Sequence, residues 1–318
     1  MNYKPSYTWP NPAFPFRVYY EGPECRVFII ENIQHNWNWL NTFHTKFKKT
    51  DYFFVYCGWY HSEYFAKEAE AIFSELQLNK ENFYFMFNDT HEESNFKSNG
   101  FKGEIINQNC WLDENLVMKP ENIEKKYDAI YVGRFSAFKR HYLANKVPNL
   151  ALVAGNNHGN ATAEGIPEHV YLNERPLVAE DVCTKINQAR CGLILSAEEG
   201  ACFASSEYLL CGIPVVSTPE KGGRSVWYDE YNSITCEPTE DAVRDAVQFF
   251  VKNPRDPKII RARHITKSKY YRAKFLCKLA ELFDKHNVTD VDSFKYFNDN
   301  HLHKLRKSYK PNFEKIFN

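Results

Sequence analysis

Long apolar runs are missing from this chain. No stretch of about 18 apolar residues occurs, so a transmembrane helix is not expected. The opening MNYKPSYTWPNPAFPF has no apolar core, so a secretory leader is not expected either. An excess of one charge is also missing. Lys+Arg and Asp+Glu stand at 40 each, which argues against a protein acting mainly through nucleic-acid phosphates. Glycine is sparse, at 13 residues, and no internal repeat or low-complexity tract occurs, so nothing points to a fibrous or solenoid chain. None of the nine cysteines (Cys25, Cys57, Cys110, Cys183, Cys191, Cys202, Cys211, Cys236, Cys277) belongs to a C-x-x-C pair. Several sit in apolar runs such as YLLC, which reads as reduced core thiols in a cytoplasmic protein. The spacing of a zinc site is absent, and no metal ligand is expected.

What is present is a globular composition. Charged residues make up 25% and apolar residues 43%, enough to bury a large core. A chain of 318 residues suits two domains, or one large α/β domain. The neutral total hides a skew. From Val251 onward there are 17 Lys/Arg against 7 Asp/Glu, so the rest is acidic by the same margin. Such a skew marks a surface suited to an anionic partner.

Short apolar runs alternate with helical patterns. RVFII (26–30), FFVYC (53–57) and FYFMF (83–87) read as buried strands. Between the last two, Tyr64, Ala69, Ile72, Phe73 and Leu76 recur near helical spacing, with Ser62 as a helix cap. The polar segment 91–103 reads as a loop or mobile lid. A boundary falls in the polar stretch 118–126. Alternation then restarts: strands at 127–133, 149–155, 169–172, 191–197 and 213–218, with helices expected around HYLANKV, AEDVCTKINQA, SSEYLLCG and TEDAVRDAVQFFVKN. Two such halves predict parallel sheets whose carboxyl ends face a cleft. The last 55 residues read as a basic helical tail.

Two segments carry chemistry. Gly133-Arg134-Phe135-Ser136-Ala137-Phe138-Lys139-Arg140 directly follows a strand. Backbone N–H groups, a bidentate Arg134 and a point-charge Lys139 there can hold a diphosphate, or form an ordinary solvated basic turn. It is not a Walker A loop. The second segment runs from Glu198 to Val216, EEGACFASSEYLLCGIPVV. Glu199 falls in the loop over the sheet edge and Glu207 in the following helix. A carboxylate in that helix can accept two hydrogen bonds from a ribose diol, or simply be an acidic residue early in a helix.

Together these segments resemble the C-terminal domain of retaining glycosyltransferases of the GT-B fold, family 4 in particular. Glu199 and Glu207 have the spacing of its Glu-x7-Glu pair, Cys211-Gly212-Ile213-Pro214-Val215-Val216 follows in register, and Gly133, Arg134 and Lys139 match its Gly-Arg…Lys segment. The resemblance covers roughly residues 126–250. It implies two Rossmann-like domains: an acceptor-side domain over 1–120, a nucleotide-sugar domain over 121–265, and a tail over 266–318. The tail either packs back on the first domain or meets an anionic membrane or lipid-linked acceptor.

By the resemblance, Arg134 and Lys139 bind the donor diphosphate, Glu207 the ribose, and Glu199 the donor sugar, beside Gly133 and Ala201. The loop 218–224, with Gly222 and Gly223, lines the site. Arg175, Pro176 and Leu177 seat the base, UDP or GDP being the expected nucleotide. No further cofactor is implied. His61 and His91, which follow strands of the first half, are candidates for a catalytic-site histidine; His35 is a third. Two departures stand out. Ala201 and Cys202 occupy positions where the family pattern has Phe and Gly, and the N-terminal half is short. Asp290-Val291-Asp292 matches a metal-binding D-x-D only by chance, since it lies in the tail.

The implied activity is transfer of a sugar from a nucleoside-diphosphate donor to a hydroxyl of a glycan or lipid-linked glycan. Localisation is cytoplasmic, with the inner face of the membrane as the surface open to the tail. The alternatives are a non-catalytic nucleotide- or glycan-binding protein on a decayed scaffold, a nucleotide-sugar epimerase, or a phosphorylase.

Overall fold

The computed structural model describes residues 16–60, 63–155 and 165–300. His61 and Ser62, residues 1–15 and 156–164, and the end of the tail lie outside them. The chain divides into two compact units. One takes residues up to 112 and resumes at 269; the other covers 113–268.

The first unit is built from β1 (Phe16–Glu21), β2 (Arg26–Ile30), α1 (Trp37–Phe43), β3 (Asp51–Val55), α2 (Glu63–Glu75), β4 (Phe83–Phe87), α3 (Thr90–Ser98) and β5 (Lys102–Ile105). Its sheet runs in simple order β1-β2-β3-β4-β5. β1 pairs antiparallel with β2, and the rest are parallel. All five residues of β2 are buried, as a strand covered on both faces requires. Aromatic residues fill the core: Phe53 stacks on Phe28 and Phe83, and Phe73, Phe85, Phe96 and Phe101 meet edge-on or tilted. At the amino end, Arg26 donates to both carboxylate oxygens of Asp51 at 2.7 and 2.6 Å, both side chains being buried. This pair joins β2 to β3 where they are register partners.

Residues 91–103 are not a loop. Asp89 caps α3 by accepting from the Glu92 N–H, and β5 completes the sheet. Phe96 and Phe101 are the cause, since each is buried in the aromatic core.

The second unit contains β6 (Tyr127–Val132), β7 (Leu150–Val153), β8 (Tyr171–Leu172), α4 (Ala179–Asn187), β9 (Ala189–Ile194), α5 (Phe203–Leu210), β10 (Val215–Ser217), β11 (Ser233–Thr235) and α6 (Glu240–Lys252). α7 (Pro257–Lys285) begins here and ends in the first unit, followed there by α8 (Ser293–Asn300). Phe275 of α7 and Tyr296 of α8 both pack on Tyr19 of β1. The sheet is parallel throughout, in order β11-β10-β9-β6-β7-β8. The chain starts at β6, builds outward to β8, then returns to β9 on the other side of β6. β6 and β9 therefore flank a topological switch point, where loops leave in opposite directions and open a crevice at the carboxyl ends.

The helix expected around HYLANKV is reduced to a 3-10 turn, His141–Ala144. Arg140 before it is left-handed, at φ 52°, which interrupts the helical path. Among the described residues no helix is long and apolar enough to cross a membrane.

Candidate active site

β6 and β9 pair from Tyr127↔Ala189 to Ile130↔Gly192, then diverge. Backbone groups freed by that divergence need partners. Tyr208 of α5 supplies one. Its buried hydroxyl accepts the Val132 N–H at 2.7 Å and lies 3.4 Å from the Ile130 and Leu193 carbonyls. Its ring lies against Gly192, where a Cβ would come within 2.2 Å of the ring. Tyr131 ties the two loops in the same way: its hydroxyl donates to the Lys139 carbonyl at 2.5 Å and accepts the Leu195 N–H at 3.4 Å.

The loops so held bring Lys139, after β6, onto Glu199, after β9. Their side chains form a buried ion pair through Glu199 Oε1. The other carboxylate oxygen accepts the Ser196 hydroxyl at 2.6 Å. Burial pushes the Glu199 carboxyl up, but the Lys139 ammonium, the Ser196 hydroxyl and the Arg224 charge outweigh it and hold the group below the usual carboxylate range. Glu199 is therefore an anion and a hydrogen-bond acceptor.

Arg224 is the residue beneath this pair. Its guanidinium, fully buried, donates to Ser196 Oγ at 3.1 Å, to the Ser196 carbonyl at 2.8 Å and to Ser217 Oγ at 3.1 Å. So the last residue of the loop 218–224 does not face the crevice; it braces the serine that orients Glu199. The loop itself is zipped to the one carrying Glu199, since Glu199 N–H donates to the Lys221 carbonyl at 3.0 Å and Lys221 N–H to the Ala197 carbonyl at 2.9 Å. Gly222 is needed there. Its φ is 134°, and a Cβ would lie 1.7 Å from the Glu199 carbonyl oxygen. Gly223, at φ 93°, precedes the 3-10 turn containing Arg224, and Glu220 accepts its N–H at 3.2 Å.

Arg140 makes a second brace, donating to the Leu195 carbonyl at 2.6 Å and Thr218 Oγ1 at 2.7 Å. Arg134 is exposed, its guanidinium 5.2 Å from the Phe138 ring centre, with the Lys139 ammonium 5.3 Å from the same ring. His141 is buried against Tyr131 at 4.3 Å between ring centres. Burial and the Lys139 charge push it down to about 4, so it is neutral at pH 7.

Cys202, where the family pattern has glycine, is left-handed at φ 56° just before α5. The backbone freedom associated with glycine is thus used here by a non-glycine residue. Ala201 beside it is buried, and Glu207, in the second turn of α5, is half-buried. Gly133 continues β6, donating to the Val153 carbonyl at 3.0 Å. Arg175 and Pro176 are exposed and Leu177 half-buried. Asn173 positions them: its amide spans the Ala154 backbone at 2.7 and 2.8 Å and donates to the Arg175 carbonyl at 2.8 Å.

In the first unit His91 is exposed in the first turn of α3, its Nε2 3.2 Å from the Asn95 amide and its ring stacked on Tyr60. His35 is exposed in a 3-10 turn. Sequence reasoning passed over Tyr131, Ser196, Tyr208 and Asn173, and had no means to see Arg224 as a buried brace. Apolar runs around the two tyrosines masked the polar work of their hydroxyls. Among the described residues, no cluster of three or more His, Cys, Asp or Glu side chains is placed to hold a metal ion.

No protein-family model matches this sequence, and no curated protein is similar to it. Solved structures are similar in fold. Sucrose-phosphate synthase from Thermosynechococcus elongatus aligns with a TM-score of 0.56 at 14% identity, over 81% of this chain and 73% of that one. TarM aligns at 0.58 and 15% identity, over 81% of this chain and 54% of that one, so this chain spans about half of TarM. The α,α-trehalose 6-phosphate synthase of Burkholderia multivorans aligns at 0.54 and 11% identity, over 85% and 73%. Two βα units, the first with a sheet parallel but for β1 and the second with a sheet parallel throughout and its switch point between β6 and β9, give this chain the GT-B fold.

Proposed function

We propose that the chain is a retaining glycosyltransferase using a nucleoside-diphosphate sugar. The observation that carries this reading is the Lys139–Glu199 ion pair at the switch point of the second sheet. It puts a cation suited to a diphosphate beside an anion suited to sugar hydroxyls. The GT-B fold adds support, as does UDP in a TarM structure from S. aureus aligned at a TM-score of 0.57.

In this reading Arg134 and Lys139 receive the diphosphate, and Lys139 exchanges part of its pairing with Glu199 for the phosphate oxygens. Glu207 takes the ribose diol, while Gly133, Ala201, Gly222 and Gly223 let the donor approach the backbone. Arg175, Pro176 and Leu177 border the base. As the bond from the sugar C1 to the phosphate oxygen breaks, Arg134 and Lys139 stabilise the charge left on the diphosphate. The acceptor oxygen bonds to C1 on the face the diphosphate leaves, and its proton passes to the leaving oxygen. Glu199 orients the sugar and, as an anion, favours the positive charge growing at C1. His91 and His61 belong to the half assigned to the acceptor. The domains are taken as 1–120, 121–265 and a tail over 266–318. A hydroxyl of a glycan or lipid-linked glycan is the acceptor, and the protein works in the cytoplasm or at the inner membrane face.

A thermal-shift panel of UDP, GDP, ADP, dTDP and CMP with EDTA tests the donor site. One nucleotide at 100 times its Kd stabilises by about 2.7 kcal/mol, a readily seen rise in Tm. Wild type is expected to respond to one diphosphate, and Arg134→Ala and Glu207→Ala to none. If every nucleotide leaves wild type unshifted, or the variants respond as wild type does, the site assignment fails. The anomeric configuration of the product, read by NMR, decides the retaining step; inversion overturns it.

A further inference from the structure

Away from this site, the second unit gathers three sulfurs from distant points in the chain. Cys183 lies in α4, Cys211 caps the end of α5, and Met118 lies in the segment before β6. Cys183 Sγ and Cys211 Sγ are 3.8 Å apart, and Cys211 Sγ is 3.9 Å from Met118 Sδ. A metal–sulfur bond of about 2.3 Å in a trigonal plane separates its sulfurs by about 4.0 Å. The Cys183–Cys211 and Cys211–Met118 edges are already close to that length.

We propose that Cys183, Cys211 and Met118 form a binding site for a soft monovalent cation of the Cu(I) class. Two thiolates and a thioether are the donors such an ion prefers over harder competitors. Binding releases two protons: the ion and two thiols give a bis-thiolate complex, and Met118 adds its sulfur without a proton. The complex carries one negative charge. Arg261 offsets it, since its guanidinium holds both the Met118 and the Leu210 carbonyls and interacts electrostatically with both cysteines.

Further groups orient the donors, as metal sites require. The Asn187 amide lies 3.4 Å from Cys183 Sγ. In the metal-free protein the Cys183 thiol faces acceptors, the Val117 and Lys119 carbonyls at 3.2 and 3.5 Å and Glu121 Oε1 at 3.8 Å, and it gives up these contacts when it loses its proton to the metal. Both cysteines are 1% exposed, which protects bound Cu(I) from water, and the half-buried Met118 provides an entry path. This site is independent of the transferase reading.

The test is anaerobic titration of the full chain against the Cu(I)–bicinchoninate complex. Wild type is expected to withdraw one equivalent of Cu(I), with three sulfurs at about 2.3 Å by X-ray absorption. Cys183→Ser and Cys211→Ser are expected to weaken binding at least tenfold, and Met118→Leu several-fold. The sulfur count of wild type by X-ray absorption keeps the test open if a cysteine variant fails to fold, and Met118→Leu should lower that count from three to two. No withdrawal of copper, a count that Met118→Leu leaves unchanged, or Zn(II) displacing Cu(I) from the site overturns the proposal.

Discussion

A buried glutamate stands at the carboxyl end of each sheet, and the two are pushed in opposite directions. Glu199, after β9, meets the Lys139 ammonium and is held below the usual carboxylate range. Glu92, in the first turn of α3 after β4, accepts the Asn88 N–H at 2.6 Å and a hydrogen bond from the Cys57 thiol. Both of those partners are neutral. Burial dominates, and the Glu92 carboxyl is pushed up to about 7. The difference shows what makes a sheet edge chemical. A switch point lets two adjacent strands deliver opposite charges to one spot, whereas strands laid down in sequence order, as in the first sheet, deliver one carboxyl to an apolar wall.

The comparison breaks most visibly at Lys139. If it holds the diphosphate, Lys139→Ala lowers turnover by about 10³-fold, comparable to losing a principal electrostatic donor. Turnover within threefold of wild type in a donor-saturated assay would remove the charge pair from the mechanism. Next comes the loop junction that keeps the pair together. Gly222→Ala forces a Cβ into the Glu199 carbonyl and is expected to cost about 3–4 kcal/mol in urea unfolding, with nucleotide binding lost. An unchanged midpoint would mean that the two loops can part freely.

The first edge is tested by pH. The folded state binds the Glu92 proton more tightly than the unfolded chain does. Its contribution to stability is therefore full below about pH 4.5 and is lost as pH rises through about 7. The change amounts to about 3 kcal/mol, and Glu92→Gln should remove most of it, giving a variant more stable than wild type at pH 8. Glu199 carries the opposite sign: its contribution is present above the usual carboxylate pKa and is lost on acidification. Parallel pH–stability curves for wild type and Glu92→Gln would show that Glu92 is not held as described.

The smallest effect belongs to the tyrosine at the strand divergence. Tyr208→Phe leaves the Val132 N–H without its 2.7 Å partner and should cost about 2 kcal/mol, without altering the pH response. Hydrogen exchange at Val132 that stays as slow as in wild type would show another acceptor taking over.

Much of this was legible from the chain. The strands RVFII, FYFMF and CGLILSA declare themselves as apolar runs, since strands of a parallel sheet are buried on both faces. Gly133, Lys139 and Glu199 could be marked because each follows a strand, where loops gather at a sheet's carboxyl edge, and Gly222 is marked through the family resemblance alone. Residues 91–103 were misread because only two aromatics, Phe96 and Phe101, outweigh their polarity, and a pattern of period 3.6 cannot be read from two points. The helix expected after Arg140 was misread because a left-handed residue leaves no mark in hydrophobic spacing.

The sequence by itself determined the alternation of strands and helices, the buried faces, and the residue types collected at each strand end, because these depend on local periodicity and on water being excluded from apolar side chains. Only the tertiary structure decided that β9 returns beside β6 rather than beyond β8. That choice carries Glu199 the 60 positions back to Lys139, while the pairing of β10 with β9 sets Arg224 under Ser196 and tertiary packing brings the sulfur of Cys211 to those of Cys183 and Met118. Contacts between such distant residues are fixed by strand order, which no local pattern encodes.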